Sequence, residues 1–145
     1  MMRENMSVLL AGGVILDERN RVLLIHRNTP EIQQWELPGK TMKHGETPEQ
    51  ALRRGMETGL GVDVWVGDLL GETQFTQESK HIHSAWMTAK ILDDQDPKIK
   101  QKDYDTYGYF ELGSLEHLKQ QGVLSPNVEK LIQTIDDNDI ELRSW

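Results

Sequence analysis

The segment ETPEQALRRGMETGLG, residues 46–61, carries the residue types from which a charged site is built: Glu46, Arg53, Arg54 and Glu57, interrupted by Gly55, Met56 and Gly59. Two carboxylates four positions apart on a helix share a face, with ~5–6 Å between Cβ atoms, and such a pair can grip one Mg2+. A cation held in that way neutralises phosphate oxygens and lowers the pKa of an attacking water, which diphosphate cleavage requires together with a base. Glu57 is the helical candidate for metal ligand. Its alternative is a solvent ion pair with Arg53 and Arg54, worth at most ~0.5 kcal/mol. Glu46 either joins the metal or bridges to Arg54 and holds the preceding loop to the helix.

Other side chains around this segment suit an anionic ligand. Arg27, Lys40 and Lys43 are cations positioned to meet phosphate, and Trp35 with Glu36 offers a stacking face and a hydrogen-bonding group for a base or sugar. The competing reading of Trp35 is that it fills the core beneath its loop. Replacement metal ligands would come from Glu36, Glu72, Glu78, Asp103 or Asp105, each of which by itself is more commonly a solvated surface acid. His81 and His83 lie two apart on one strand face, a spacing compatible with Zn2+, but no third ligand accompanies them, and a strand pair is the expectation. His44 is either a nearby base or a surface histidine.

Positioning falls first to the helix. TPEQALRRGMETGLG opens with Thr47 as N-cap, Pro48 at the first helical position and Gln50 closing a capping box, and Gly59 or Gly61 ends it. At 100° per residue, Ala51, Leu52, Gly55, Met56 and Gly59 form a packing side, and Gln50, Arg53, Arg54 and Glu57 an open side. Before it, SVLLAGGVIL and RVLLIHR read as an antiparallel hairpin or neighbouring strands joined by the turn DERN, and Asn28 to Glu46 reads as a long irregular loop of functional type. After it come strands at VDVWVGDLLGETQFTQ and KHIHSAWMTAKIL, a polar loop from Asp93 to Asp105 and a strand at TYGYFEL. Two helices follow, GSLEHLKQQ and SPNVEKLIQTI, the second capped by Ser125. Strands on both sides of a central helix, with helices at the end, give a mixed α/β sandwich.

The chain as a whole sets the limits. Its 145 residues are the size of one domain, read as spanning 1–145 with a core over about 7–135 and a solvated tail at 136–145. Without cysteine there is no disulfide framework, thiolate metal site or Cys nucleophile. A net charge of −8 and no basic stripe disfavour a nucleic-acid polymer as partner. MMRENMS lacks the apolar stretch of a signal peptide, and no run approaches the ~20 residues that span a bilayer, so a cytoplasmic protein without membrane contact is expected.

WELPGKTMKHGETPEQALRRGMETGLG, taken with GGVILDERNRVLLIHR and YGYFELGSLEHL, resembles the Nudix hydrolases, the MutT-like superfamily, over roughly residues 7 to 135. Their signature runs Gly, five residues, Glu, seven residues, Arg-Glu-aliphatic, one residue, Glu-Glu, one residue, Gly, aliphatic. Read from the front, Lys40 replaces the first Gly, Glu46 and Arg54 match, and Gly55 replaces the following Glu. Read from the back on Gly59-Leu60, Glu57 matches the second Glu of the pair and Met56 replaces the first. The box therefore reads as shortened by two residues within its helix, which turns everything downstream by ~200° and leaves no carboxylate pair on one face.

The resemblance implies an α/β/α sandwich with a central mixed sheet. It also implies Mg2+- or Mn2+-dependent hydrolysis of a nucleoside diphosphate linked to another moiety, with monomer and homodimer both open. Carried onto this sequence, it assigns Arg54 and Glu57 to catalysis, Glu57 and Glu46 to metal, and Arg27, Trp35, Glu36 and Lys40 to the substrate. The altered box leaves turnover weakened or lost and keeps two alternatives in view. One is an impaired domain that binds a nucleotide-like metabolite or serves regulation; the other is attack at sugar carbon, as in the GDP-mannose hydrolases.

Overall fold

Ten elements in the order β-β-β-β-α-β-β-β-α-α make up the computed structural model, which describes residues 6–138. The strands are β1 (Met6–Ile15), β2 (Val22–Asn28), β3 (Gln33–Glu36), β4 (Gly39–Thr41), β5 (Val64–Gln77), β6 (Lys80–Ile91) and β7 (Tyr104–Phe110); the helices are α1 (Pro48–Leu60), α2 (Leu112–Gln120) and α3 (Pro126–Asp137). One sheet has the order β4-β1-β6-β5 and is mixed, because β1 and β6 run parallel while the other pairs are antiparallel; the second, β3-β2-β7, is antiparallel throughout.

The apolar runs are continuous at residues 11–16, from the second half of β1, and 22–25 of β2 because both faces are covered there, whereas Leu9 near the start of β1 is exposed. Along β2, Leu23 and Ile25 pack with Ala51, Leu52 and Met56 of α1, whereas Val22 and Leu24 pack with Leu115 of α2 and Val128 and Leu131 of α3. β6 divides in the same way, Met87 and Ala89 facing α1 and the fully buried Trp86 facing the other core. Helices thus lie on both sides of strand layers, the expected α/β/α sandwich with a mixed sheet.

Three expectations need correction. β1 and β2 are not a paired hairpin: after the turn at Asp17, whose carboxylate accepts from Arg19 N, Arg21 N and Arg21 Nε, they share only the bridge Leu16–Val22 and part into different sheets. A strand apolar on both faces does not encode its neighbours, and β1 takes β4 and β6 while β2 takes β3 and β7. The segment from Asn28 to Glu46 is not wholly irregular, since β3 and β4 lie within it and close an edge of each sheet. The region read as a tail begins inside α3, where Ile135 is buried and Asp136 and Asp137 are helical; residues 139–145 lie outside the described ones. Among the described residues no helix is long and apolar enough to cross a membrane.

The punctuation of α1 is as read. Thr47 Oγ1 accepts from Gln50 N at 3.1 Å and Gln50 Oε1 accepts from Thr47 N at 2.9 Å. Gly61 ends the helix with φ 68°, its N–H donating to Glu57 O at 3.1 Å. The left-handed conformation costs a residue with a Cβ ~1–2 kcal/mol, so Gly61 and not Gly59 is the stop. Thr47→Ala removes one half of the capping box and lowers stability by ~1 kcal/mol, read as a lower urea midpoint at unchanged m-value.

Candidate functional site

The corner where the loop enters α1 is fixed by one ion pair. Arg54 Nε donates to Glu46 Oε2 at 2.8 Å and Arg54 Nη2 to Glu46 Oε1 at 2.9 Å, while Nη2 also reaches Thr41 O at 2.8 Å and ties the pair to β4. Lys43 N donates to Glu46 Oε1 at 2.8 Å. Of the two roles open to Glu46, the structure shows the bridge. The Arg54 hydrogen bonds foremost, and then the Lys43 N–H, hold its carboxyl down at about 2 against an ordinary 4.5.

The cap at Gly61 also resets the register of the box. With Gly61-Val62 as the closing Gly-aliphatic pair, the full signature spacing from Glu46 is kept: Arg54 matches, Met56 is the aliphatic residue, and the three remaining acid positions fall on Gly55, Thr58 and Gly59. There is no two-residue deletion; the acids are substituted in an intact helix. Glu57 then occupies a variable position, exposed to solvent. It is not paired with the arginines either, because Arg54 is held by Glu46 and Arg53 Nη2 lies 3.9 Å from Glu49 Oε1.

The packing explains why Gly55 lacks a side chain, whereas at Gly59 a side chain would meet only ordinary contacts. A Cβ on Gly55 would lie 2.6 Å from Lys40 Cβ and 3.1 Å from Gly39 O, so β4 lies directly on the helix there. A Cβ on Gly59 would meet the side-chain amide of Gln101 at 3.7 Å, and the loop carrying it is fastened by Lys100 N donating to Gly59 O at 3.0 Å. Thr58 Oγ1 donates to Arg54 O at 2.8 Å. Among the described residues no group of three or more His, Asp or Glu side chains is placed to hold an ion. The donors on this helix do not fit a hard dication, which takes carboxylate and carbonyl oxygens.

Beside the corner, β2, β3 and β7 build a second network. Arg27 Nε donates to Glu36 Oε2 at 2.7 Å, Arg27 Nη2 to Tyr104 OH at 2.6 Å, and Tyr104 OH to Glu36 Oε1 at 2.9 Å. Gln34 Nε2 adds a bond of 2.7 Å to Glu36 Oε2. Burial alone would lower the Arg27 pKa, but the Glu36 hydrogen bond and charge raise it above its ordinary value; burial, then the charge of Glu36, pushes the Tyr104 phenol up. Arg27 and Glu36 thus hold each other at the wall of a cleft of about 420 Å³ between the sheets.

That cleft has apolar sides at Val8, Leu10, Phe75 and Ile82, and a polar end at Ser125 and Asn127. The latter two are 4% and 6% exposed, and neither Ser125 Oγ nor Asn127 Oδ1 has a hydrogen-bond partner. Ser125 stands at the N-cap of α3 but makes no side-chain cap bond. An unpaired buried polar atom costs ~1–3 kcal/mol, and two together at the end of a cleft need an explanation. Sequence reasoning missed both residues: Ser-Pro-Asn before an apolar helix reads as a start signal, and nothing in it marks a cleft.

The remaining candidates separate. Lys40 borders an adjoining concavity of about 460 Å³ with Arg27, Gln101, Lys102 and Asp103. Glu78 and Asp103 line the main cleft. Trp35 is partly buried and packs against the core, its ring 4.8 Å from His26 and 4.7 Å from Phe110, and its backbone pairs with Val123 and Ser125. Asp105 is taken by His26 Nδ1 at 2.8 Å and Asn28 Nδ2 at 2.9 Å. His81 and His83 are engaged separately, with Gln74 at 3.2 Å and Glu72 at 3.8 Å. His44 and Lys43 are exposed in the loop before the helix.

Residues 6–131 match the NUDIX domain family. A Proteus vulgaris protein named 8-oxo-dGTP diphosphatase is 34% identical over 83 residues, covering 56% of this chain and 74% of that protein. One of the same name from Haemophilus influenzae is 34% identical over 77 residues, 52% of this chain and 57% of that protein. The crystal structure of a MutT protein from Methanosarcina mazei Go1 superposes with a TM-score of 0.82 over 97% of this chain and all of that one, at 17% identity, a likeness of fold.

Two outcomes follow from the corner. Gly55→Ala, favourable by helix propensity alone, lowers stability by ~1–3 kcal/mol through the contact with Lys40 and Gly39, and Lys40→Gly in the same chain recovers part of the loss in urea unfolding. Because the folded pKa of Glu46 lies below its ordinary value, its bridge stabilises fully above pH 4.5 and is lost as pH falls towards about 2. Stability of the natural protein measured through that window should fall more steeply than that of Glu46→Gln.

Proposed function

The chain belongs to the Nudix domain family, among its MutT-like hydrolases, and on that premise we propose that its cleft takes a purine nucleoside di- or triphosphate, with hydrolysis strongly weakened. The observation that carries this reading is the pair of unpaired buried groups, Ser125 Oγ and Asn127 Oδ1, in a cleft whose wall joins apolar side chains to charged ones such as Arg27 and Glu36. An amide and a hydroxyl together supply a donor and acceptors for a base edge, and Val8, Leu10 and Phe75 supply its apolar surroundings. The cleft volume is within the ordinary range for a small-molecule site. The names of the two relatives supply the purine triphosphate, and the base end of the cleft supports it.

Weakened turnover rests on the helix. The family reaction uses a divalent cation, which supplies charge neutralisation and an activated water when bound. In this chain Gly55, Thr58 and Gly59 occupy the acid positions and Glu57 lies outside them. What the chain's own residues do is bind and orient: Asn127 and Ser125 receive the base, and Arg27, fixed by Glu36 and Tyr104, presents a cation where the two concavities meet.

The test is a thermal-shift screen of 8-oxo-dGTP, dGTP, ATP, UDP-sugars and GDP-sugars with and without Mg2+, followed by separation of products. A purine nucleotide at a hundredfold excess over its Kd should stabilise the fold by ~2.7 kcal/mol. Asn127→Ala should weaken that binding about tenfold or more, since it leaves the base edge unpaired. Absence of any purine-dependent shift would refute the ligand class, and rapid Mg2+-dependent release of nucleoside monophosphate would refute weakened turnover.

A further inference from the structure

The geometry points to a metal-independent phosphate site in which the ammonium groups of Lys40 and Lys102, with the Gln101 amide, take the place of the family's divalent cation. It rests on the nucleotide reading above and concerns the other end of the same ligand. Four observations carry it.

The first is location. Lys40 and Lys102 border the concavity of about 460 Å³ that adjoins the base cleft and shares Leu10, Arg27, Thr41 and Asp103 with it. A ligand with its base at Asn127 therefore has a continuous path for its phosphates towards the two lysines. The second is replacement of one charge by the opposite one. Lys40 Cβ occupies the space a side chain at Gly55 would need, and the Gln101 amide lies over Gly59, so the stem of a cationic residue and an amide stand against two positions where the signature has acids.

The third is availability. Among the described residues neither Lys40 nor Lys102 is in an ion pair, whereas the acids nearby are partly spent: Glu36 is held by Arg27 and Tyr104, leaving Asp103 as the acid without such a partner at this wall. The fourth is the overall charge. On a protein of net charge −8, the Arg27 guanidinium here is balanced by Glu36, and the two unpaired ammonium groups outnumber the single free carboxylate of Asp103, so the concavity is locally positive. In the family's metal-based scheme the cation lies between two sets of anions, protein and phosphate. Here the protein side of that sandwich is already cationic, and a dication would be repelled from the place it fills in relatives that carry the acids.

The probe is inorganic tripolyphosphate, titrated calorimetrically into the full chain in excess EDTA and again in Mg2+. Binding should persist in EDTA at similar affinity, weaken with added salt, and fall about tenfold in Lys40→Ala and likewise in Lys102→Ala, each removing one charge-assisted contact. Lys102 is exposed in its loop, so that variant reports on the site even if Lys40→Ala perturbs the β4 contact. Binding that vanishes in EDTA and returns with Mg2+ overturns the proposal, as does affinity unchanged in both variants or no binding of tripolyphosphate at all. The base reading fails separately: metal-independent tripolyphosphate binding, with nucleotide affinity indifferent to Asn127→Ala, would sink that reading and leave this one standing. Guanosine binding that depends on Asn127 without tripolyphosphate binding would do the reverse.

Discussion

The close approach of β4 to α1 is the constraint from which the rest of the site follows. Gly55 admits the backbone of Gly39 and the Cβ of Lys40, and a Cβ on Gly39 in turn would lie within 2.3 Å of Ala11 O on β1. Helix, edge strand and central strand are therefore stacked without intervening side chains. This places Thr41 O within reach of Arg54, and through Arg54 it holds Glu46. A helix this near to its sheet cannot carry a long acid at the contact. The loss of the carboxylate and the position of Lys40 are thus two aspects of one packing arrangement.

That arrangement separates two functions that the family combines on one helix. Orientation survives: the capping box, the Glu46–Arg54 bridge and the Gly61 stop all remain, and they hold the loop and β4 in place. The ion-gripping face does not. A scaffold with its corner intact and its acid positions substituted keeps the walls on which recognition depends. The Arg27–Glu36–Tyr104 network acts in the same sense, using an acid to fix a cation at the wall and leaving little of that acid for a metal.

The Ser125 side of the cleft shows a local rule set aside. Ser125 has the position and backbone of an N-cap, yet its hydroxyl makes no cap bond, and α3 starts on Pro126 with backbone bonds from Val128 N and Glu129 N to Ser125 O. A capping hydroxyl gives ~1 kcal/mol, so leaving it unused in a buried place is a departure of the kind found at ligand-contacting positions.

The sequence by itself determined α1 in detail, because capping boxes, N1 prolines and C-terminal glycines act within a few residues of one another. It determined the five longer strands to within a few residues for the same reason of local period, together with the Glu46–Arg54 pair eight apart and the type of fold, whereas the short β3 and β4 carry too few residues to show a period. Only the tertiary structure decided what lies beside what. The separation of β1 and β2 into two sheets, the packing of Trp35 against the core and the contact of Lys40 with Gly55 depend on elements distant in the chain. So does the gathering of Arg27, Glu36 and Asn127 around one cleft. The register of the box, by contrast, is countable in the sequence, since the signature spacing from Glu46 and Arg54 ends on Gly61-Val62, and the left-handed turn at Gly61 agrees with it.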